Sequence, residues 1–499
     1  MQWSGSTGVE AGTAELGLSP PRWIPRVLGG VPEVCLVLLI LFTPFAFGTV
    51  ETWSIAIAEL LVLAMAVAWL LCMVVRGEVR VWLGLPGALA LALLAWVALQ
   101  IVPLPASLVR WLSPAAAAHH AVARRVAGIA ADPQTLSLQP YLTRLELLKL
   151  ATYALLFLTI VHHFTSRRQV EWVLRALAIG GFLLALFGIV QHLTFNGKLY
   201  WAREFNLNAS PFGPYVNRNH FAGYMAMAIP MTLGYAMALA AGRRSPRRPP
   251  ARLRQRVAAL DFRAGAGIFA ASTMGAALLF SGSRGGFISF LLSGALFAAL
   301  TWRRAKRVHA WWVVIVLDGA LGCGLWLGGE ELFGRLLTVL RGGGIFGGTG
   351  RLWVWADTWA MARHFLVTGV GFGAFSAVFP AHMTRTVNMF YAHTENDYLQ
   401  LLAETGLIGL GLALALAAIL LHRLLAGVLK ASDPWAAGIA LGAATGVVAV
   451  LIHSLGDFNL RIPANAMLFV VIASLGLRAL ATARPALLGR AETGGLGQT

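Results

Sequence analysis

SIAIAELLVLAMAVAWLLCMVV, residues 54 to 75, carries one carboxylate, Glu59, in an otherwise apolar run and is followed by the basic pair Arg76 and Arg80. As a helix it rises about 33 Å, enough to cross a hydrocarbon core of about 30 Å. Similar runs recur along the chain. We expect about twelve spans, at residues 34 to 50, 54 to 75, 83 to 101, 145 to 164, 173 to 193, 220 to 241, 264 to 281, 286 to 301, 310 to 328, 398 to 421, 436 to 456 and 464 to 482. Composition agrees: 58% of the 499 residues are hydrophobic and 12% are charged, against roughly a quarter charged in a soluble domain. The expected fold class is all-α, a polytopic integral membrane helical bundle.

Charge sets the orientation. The formal net charge is +18, but the excess lies in short loops between apolar runs, which argues against nucleic-acid binding and for the positive-inside rule. After the sixth span, Arg243, Arg244, Arg247, Arg248, Arg252, Arg254, Arg256 and Arg263 accompany a single acid, Asp261, so that loop is expected in the cytoplasm. Alternation then places Arg167/Arg168, Arg303/Arg304/Lys306/Arg307, Arg423/Lys430 and both termini inside. Residues 1 to 33 read as a cytoplasmic tail and not a cleavable signal, because no small-residue cleavage site follows the first apolar run. Two longer segments, 102 to 144 and 329 to 397, fall outside, the second expected to hold short amphipathic helices. Cys35, Cys72 and Cys323 all fall in predicted spans, so neither a disulfide framework nor a thiolate metal site is suggested. No internal repeat of the transporter type stands out.

Five polar clusters lie at outward span ends or in the large outer loop. They are Asn217-Arg218-Asn219-His220, Ser281-Gly282-Ser283-Arg284-Gly285-Gly286, Gly350-Arg351-Leu352-Trp353, Tyr391-Ala392-His393-Thr394-Glu395-Asn396-Asp397-Tyr398, and His453-Ser454-Leu455-Gly456-Asp457-Phe458-Asn459-Leu460-Arg461. An arginine at bilayer depth costs about 2.5 to 3.5 kcal/mol on insertion scales, so Arg284, isolated by a Ser/Gly turn, reads either as an anion ligand or as a snorkelling span end. Arg351 opens an amphipathic, Trp-rich segment, 352 to 365, suited to the interfacial belt. Two arginines at this depth would suit a diphosphate, whose oxygens pair with guanidinium forks through parallel charge-assisted bonds.

His393 stands just before the tenth span, where an ordinary pKa near 6.5 would leave it able to accept a proton. Glu395 and Asp397 could orient the imidazole, and Asn396 and Asp397 could equally cap the following helix. For Asp457 and Arg461, an ion pair that only stabilises the turn explains them as well as ligand binding does. The glycine-rich stretches 342 to 350 and 369 to 373 lack the strand, helix and Lys-Ser/Thr context of a nucleotide loop, and no cluster has convincing metal spacing. No nucleotide, metal or other cofactor is expected.

The run His393-Thr-Glu-Asn-Asp-Tyr-Leu399-Gln-Leu-Leu-Ala-Glu404-Thr-Gly406-Leu-Ile-Gly409 resembles the signature of the O-antigen ligase and O-antigen polymerase superfamily. Asn217 to Ala222, Ser283-Arg284-Gly285, and Arg351 with Trp355 ahead of Gly369-Val-Gly371-Phe-Gly373 resemble further pieces of the same pattern, in the same order. The likeness covers residues 205 to 475, which then form a catalytic region between the amino-terminal spans (34 to 204) and the tail (476 to 499). It implies an inverting, metal-independent glycosyltransferase in the bacterial inner membrane. The enzyme would take a glycan from a polyprenyl (undecaprenyl) diphosphate at the periplasmic face and pass it to lipid A-core or another glycan acceptor. On that resemblance Arg284 and Arg351 hold the diphosphate and His393 activates the acceptor hydroxyl. Arg218, Asn219, Asn396, Asp397, Asp457 and Arg461 are expected to contact substrate.

A polymerase joining lipid-linked repeat units fits the same residues. A transporter or flippase predicts ionisable residues along a path through the bilayer, and the spans hold few, chiefly Glu59, Glu146, Lys149 and Asp318.

Overall fold

In the computed structural model, residues 23–77, 81, 83–128, 134–205, 209–241, 262–305, 348–386 and 390–483 are described. They form fifteen α-helices, with no strand longer than an isolated bridge among the described residues. The helices are α1 (Trp23–Phe45), α2 (Thr52–Arg76), α3 (Gly84–Ile101), α4 (Ala106–Leu112), α5 (Pro114–Ala127), α6 (Pro140–His163), α7 (Arg167–Leu193) and α8 (Arg218–Ala241). They continue as α9 (Phe262–Phe280), α10 (Arg284–Ala305), α11 (Gly348–His364), α12 (Phe375–Val378), α13 (Asp397–Lys430), α14 (Pro434–His453) and α15 (Pro463–Thr482). Eleven of these are long and apolar enough to cross a membrane, and each coincides with an expected span. The chain is a polytopic all-α membrane protein. The remaining expected span, 310 to 328, and all of the arginine-rich loop except Arg263 lie outside the described residues.

Local chemistry explains where the helices start and turn. Ser166 caps α7 through a reciprocal capping box with Gln169, and Asp433 accepts from Trp435 N ahead of Pro434 at the first position of α14, so both donors that a bare terminus would leave unmet are satisfied. Between α9 and α10 the chain reverses in three residues, with Gly282 at φ 63° and the Ser283 hydroxyl accepting from Gly286 N at 3.2 Å.

Burial separates the centre of the bundle from its rim. Over their most apolar windows α14 is 83% buried, α8 78% and α15 67%, whereas α3 and α6 reach 22% and α13 only 17%. Lipid is as apolar as leucine, so close packing and not water exclusion must hold such helices together. The α8–α14 contact shows how. A Cβ at Gly442 would lie 2.6 Å from Pro230 O and one at Gly438 2.7 Å from Gly234 O, so the two backbones touch through a four-residue stripe of small residues.

A second core stands at one face of the bundle. Val109 of α4, Leu136, Val354 and Met361 of α11, Phe365 just past its end, Phe375 and Phe379 around α12, and Leu402 and Ala403 at the start of α13 pack into one cluster. In the loop before the tenth span the described residues form α11 and α12, docked on the α13 start; α11 buries Asp357 and Thr358 and exposes Leu352 and Trp359, so it lacks the clean apolar face expected of an amphipathic helix. We call this end the site face.

Candidate functional site

The E-x-G-x-x-G run decides the local backbone. Gly406 interrupts α13 at φ 66°, ψ −170°, a conformation essentially restricted to glycine. The break strips carbonyls of their helical partners, and a neighbouring segment replaces them. Val370 N donates to Ala403 O at 2.9 Å, Gly371 N to Glu404 O at 3.0 Å, and Leu407 N to Leu366 O at 2.8 Å. Trp96 Nε1 takes Thr405 O at 2.9 Å, while the fully buried Gln100 donates to Glu404 O and Thr368 O and accepts from Phe372 N. The Gly-Val-Gly-Phe-Gly stretch is therefore a splint for a broken helix, not a phosphate loop.

The first turn of α13 is fixed as firmly. Asn396 accepts from Tyr398 N and Leu399 N as its cap. The Asp397 carboxylate takes Ser454 Oγ at 2.7 Å and Leu460 N at 3.0 Å, which ties α13 to the 454–461 turn. Of the two residues expected on substrate, Asn396 thus has the hydrogen bonds of a helix cap and Asp397 those of a tie between two segments.

Ahead of that cap, Trp355 Nε1 donates to Thr394 O at 3.0 Å and the Thr358 and Thr394 hydroxyls meet at 3.0 Å, so α11 clamps the residue after His393. The His393 ring lies flat on Phe458, centroids 4.2 Å apart, and Phe458 meets His220 edge-on at 4.5 Å. His393 Nδ1 sits between the two ends of the Gln400 amide, at 3.3 Å from Oε1 and 3.1 Å from Nε2. The amide is oriented by Thr394 N, which donates to its oxygen, and by Glu404, which accepts from its nitrogen at 3.1 Å. Glu404, fully buried, pairs in turn with Arg461, whose guanidinium also covers the Phe372 ring at 4.4 Å. Burial, reinforced by the charges of Arg461 and His220, lowers the His393 pKa to about 3.

Two further contacts close the site. Arg351 pairs with Glu395 and donates to Gly456 O at 2.8 Å. Asp457, 1% exposed, faces His220 Nε2 at 3.2 Å. Burial alone would raise the Asp457 carboxyl, but the hydrogen bond from His220 and the charges of His220, His453 and Arg351 hold it at about 2. Burial pushes Glu395 above the usual carboxylate range, with Arg351 pulling the other way. Glu395 also has φ 57°, a conformation uncommon outside glycine and asparagine and concentrated at functional sites.

The five sequence clusters meet here. A Cβ on Gly285 would come within 2.9 Å of the His453 ring, which sets the α10 start, and Arg284 one residue away, against the 453–461 segment. Arg218 instead lines a separate cavity of about 200 Å³ with Gln191, Phe212 and Ser281. For Asn219 the fixed point is the backbone N–H, donated to Asn217 Oδ1 at 2.9 Å. Asp457 and Arg461 take separate partners, His220 and Glu404, instead of each other.

The family comparison covers the middle of this arrangement. Residues 269–414 match the O-Antigen ligase family model. That match supports a resemblance of this segment to the O-antigen ligase and polymerase superfamily, whose members act on lipid-linked glycan. No curated protein matches the chain. The O-antigen ligase segment runs from α9 into α13 and so includes Arg284, Arg351, His393, Gln400 and Glu404. His220, His453, Asp457 and Arg461 lie outside it, so half of the site comes from flanking chain.

Sequence reasoning passed over Glu404 when it counted ionisable residues inside spans. An acid at that depth is itself a signal, and its partner, Arg461, was already singled out. His220 and His453 stood in quoted clusters without a role, and nothing in one sequence pairs His220 with an aspartate more than two hundred residues away. Asp318, named in the same count, lies outside the described residues.

Proposed function

We propose that this protein moves a glycan from a polyprenyl diphosphate to an acceptor hydroxyl in a single inverting displacement, and that the site face is periplasmic, with both termini in the cytoplasm of an inner membrane. The acceptor oxygen attacks the anomeric carbon, the bond from that carbon to the diphosphate oxygen breaks, and the acceptor proton passes to His393 Nε2. The diphosphate leaves with the bonding electrons and is neutralised by Arg351 and Arg284. The tautomer this requires carries its proton on Nδ1, donating to Gln400 Oε1 at 3.3 Å. With a pKa near 3, His393 is neutral at physiological pH and takes the proton only as the glycosidic bond yields.

Arg351 would exchange Glu395 for a phosphate, a stronger anion that fits both arms of its fork. The observation that carries the reading is the contact of Arg351, His393 and the Arg284-bearing helix start with one turn, 453 to 461, in a chain whose segment matches the O-antigen ligase family.

The test supplies purified protein in nanodiscs with a polyprenyl-diphosphate glycan and, separately, lipid A-core or a second lipid-linked unit. Product with the core alone assigns a ligase, and product with the lipid-linked unit alone a polymerase. His393→Ala and Arg351→Lys should each cost about a hundredfold or more. Turnover unchanged in both variants would overturn the assignment.

A further inference from the structure

At the face opposite the site, α3, α6, α13 and α15 enclose a cavity of about 850 Å³. Its polar wall is cationic: Arg423 and Lys430 from α13, Arg478 from α15, with His162 and His422 beside them and no carboxylate among the described residues of the lining. Arg478 is held in place by its Nε donating to Phe164 O at 3.1 Å. The carbonyls at the end of α13, which would otherwise attract these cations, are taken by Arg304, donating to Val428 O and Ala431 O.

Pro86 and Phe157 also line a second cavity of about 260 Å³ that lies nearer the site face between the same four helices. Its walls are mostly apolar, formed by Leu93, Ala417, Leu420, Phe469 and Val470 among others, and only its site-face end carries charge, from Glu146, Lys149, Asp397 and Arg461. From Arg478 back to Ala466 is twelve residues of α15, about 18 Å of helix, close to the hydrocarbon depth of one leaflet.

A cationic chamber at the membrane surface that leads into an apolar chamber one leaflet deep matches a single ligand shape. We propose that the two cavities bind an anionic glycerophospholipid, with its phosphate among Arg423, Lys430 and Arg478 and one acyl chain passing Pro86 and Phe157 into the apolar chamber. The structure puts these residues together across four helices, so the lipid joins the amino-terminal spans to α13 and α15, which carry Gln400 and Glu404 on one and follow Arg461 on the other. Only the leaflet, the cytoplasmic one, rests on the topology proposed above. Selection for negative charge and an acyl chain does not.

Native mass spectrometry of the full-length protein, delipidated and then titrated with defined lipid, tests this. Phosphatidylglycerol should be retained as a discrete adduct and raise the unfolding temperature. Phosphatidylcholine, which lacks net charge, and inorganic phosphate, which lacks the chain, should do neither. Arg423→Gln/Lys430→Gln, which spares the structural Arg478, should weaken phosphatidylglycerol retention about thirtyfold. Ala417→Trp should remove it by filling the chain seat while every cation remains.

Equal retention of the two lipids, stabilisation by inorganic phosphate alone, or unchanged retention in either variant would overturn the assignment. The readout needs no donor or acceptor, so a failed glycan-transfer assay leaves it intact. Likewise, His393→Ala should retain phosphatidylglycerol like the parent protein.

Discussion

The pair Arg461 and Glu404 offers the sharpest test of how the site is held. Glu404 has no exposed surface and the Arg461 side chain is 9% exposed, so neither charge has water to fall back on. In Arg461→Met the Glu404 carboxylate keeps only the Gln400 amide as a side-chain donor, and an uncompensated buried charge costs about 3 to 5 kcal/mol. That is about two to three and a half orders of magnitude in the unfolding equilibrium. Replacing both charges, Arg461→Met/Glu404→Leu, removes the stranded charge and should recover most of the loss, since apolar replacement of a buried pair is often neutral or better. The assay is reversible unfolding of purified protein in mixed micelles across a denaturing-detergent titration, with all four corners of the mutant cycle. The double variant should fold yet turn over slowly, because the Gln400 amide then lacks the acceptor that orients it under His393. A double variant as unstable as Arg461→Met, or a single variant as stable as the parent, would refute the reasoning.

Three shorter predictions follow from the same geometry. Gly406→Ala should destabilise the protein by at least about 1 to 3 kcal/mol, because φ 66° with ψ −170° excludes a side chain and the new Cβ would meet the Val367 carbonyl; Gly411→Ala, with open space around it, is the control that should leave the unfolding temperature unchanged or raised. With the His393 pKa lowered to about 3 by burial and Arg461, its proton-accepting form is present at every pH above about 4, so kcat/KM should show no loss from this group between pH 7.5 and 5.5, where an ordinary histidine would titrate. The linkage sign is that the unfolded state binds the extra proton, so this group's contribution to stability falls as pH drops from about 6.5 toward 3, and a midpoint near 6.5 in the rate profile would count against the buried setting. Trp355→Phe should keep the ring packing and lose the 3.0 Å bond to Thr394 O, a net of about 1 kcal/mol or roughly fivefold in kcat if that clamp positions His393; an unchanged rate removes α11 from the positioning scheme.

The bundle was legible because its signal is additive. Twenty apolar residues cross a bilayer whatever surrounds them, and the eleven described spans fall where hydropathy puts them. The site was legible only in outline. Its charged residues lie at span ends, where Arg284, Arg351 and His393 stand out against an apolar background, and charge bias put their clusters on one expected face. Partners are another matter. That Arg461 belongs to Glu404 and Asp457 to His220 depends on how α8, α13 and the 454–461 turn dock, which is set by stripes such as Gly438 and Gly442 far from the chemistry. Gln100 shows the limit most clearly: one uncharged polar residue in an apolar span carries no sequence signal, yet it holds one backbone carbonyl of the broken helix and two backbone groups of the segment that splints it.

The break at Gly406 accounts for why the signature residues crowd into a few turns. An unbroken α13 would couple the His393 support to a long rod of which only 17% of the most apolar window is buried, exposed to lipid motion along much of its length. At the break, the helical bonds that would transmit such motion are replaced by bonds to Val370, Gly371, Gln100 and Trp96. The first turns then belong mechanically to the site-face core around Phe365, Phe375 and Leu402. Glu404 sits on the site side of the break and the lipid-facing remainder begins with Leu407. The glycine that permits the turn and the acid that anchors Gln400 are two residues apart because both serve one junction, at which a membrane helix is cut free so that its end can be part of a rigid site.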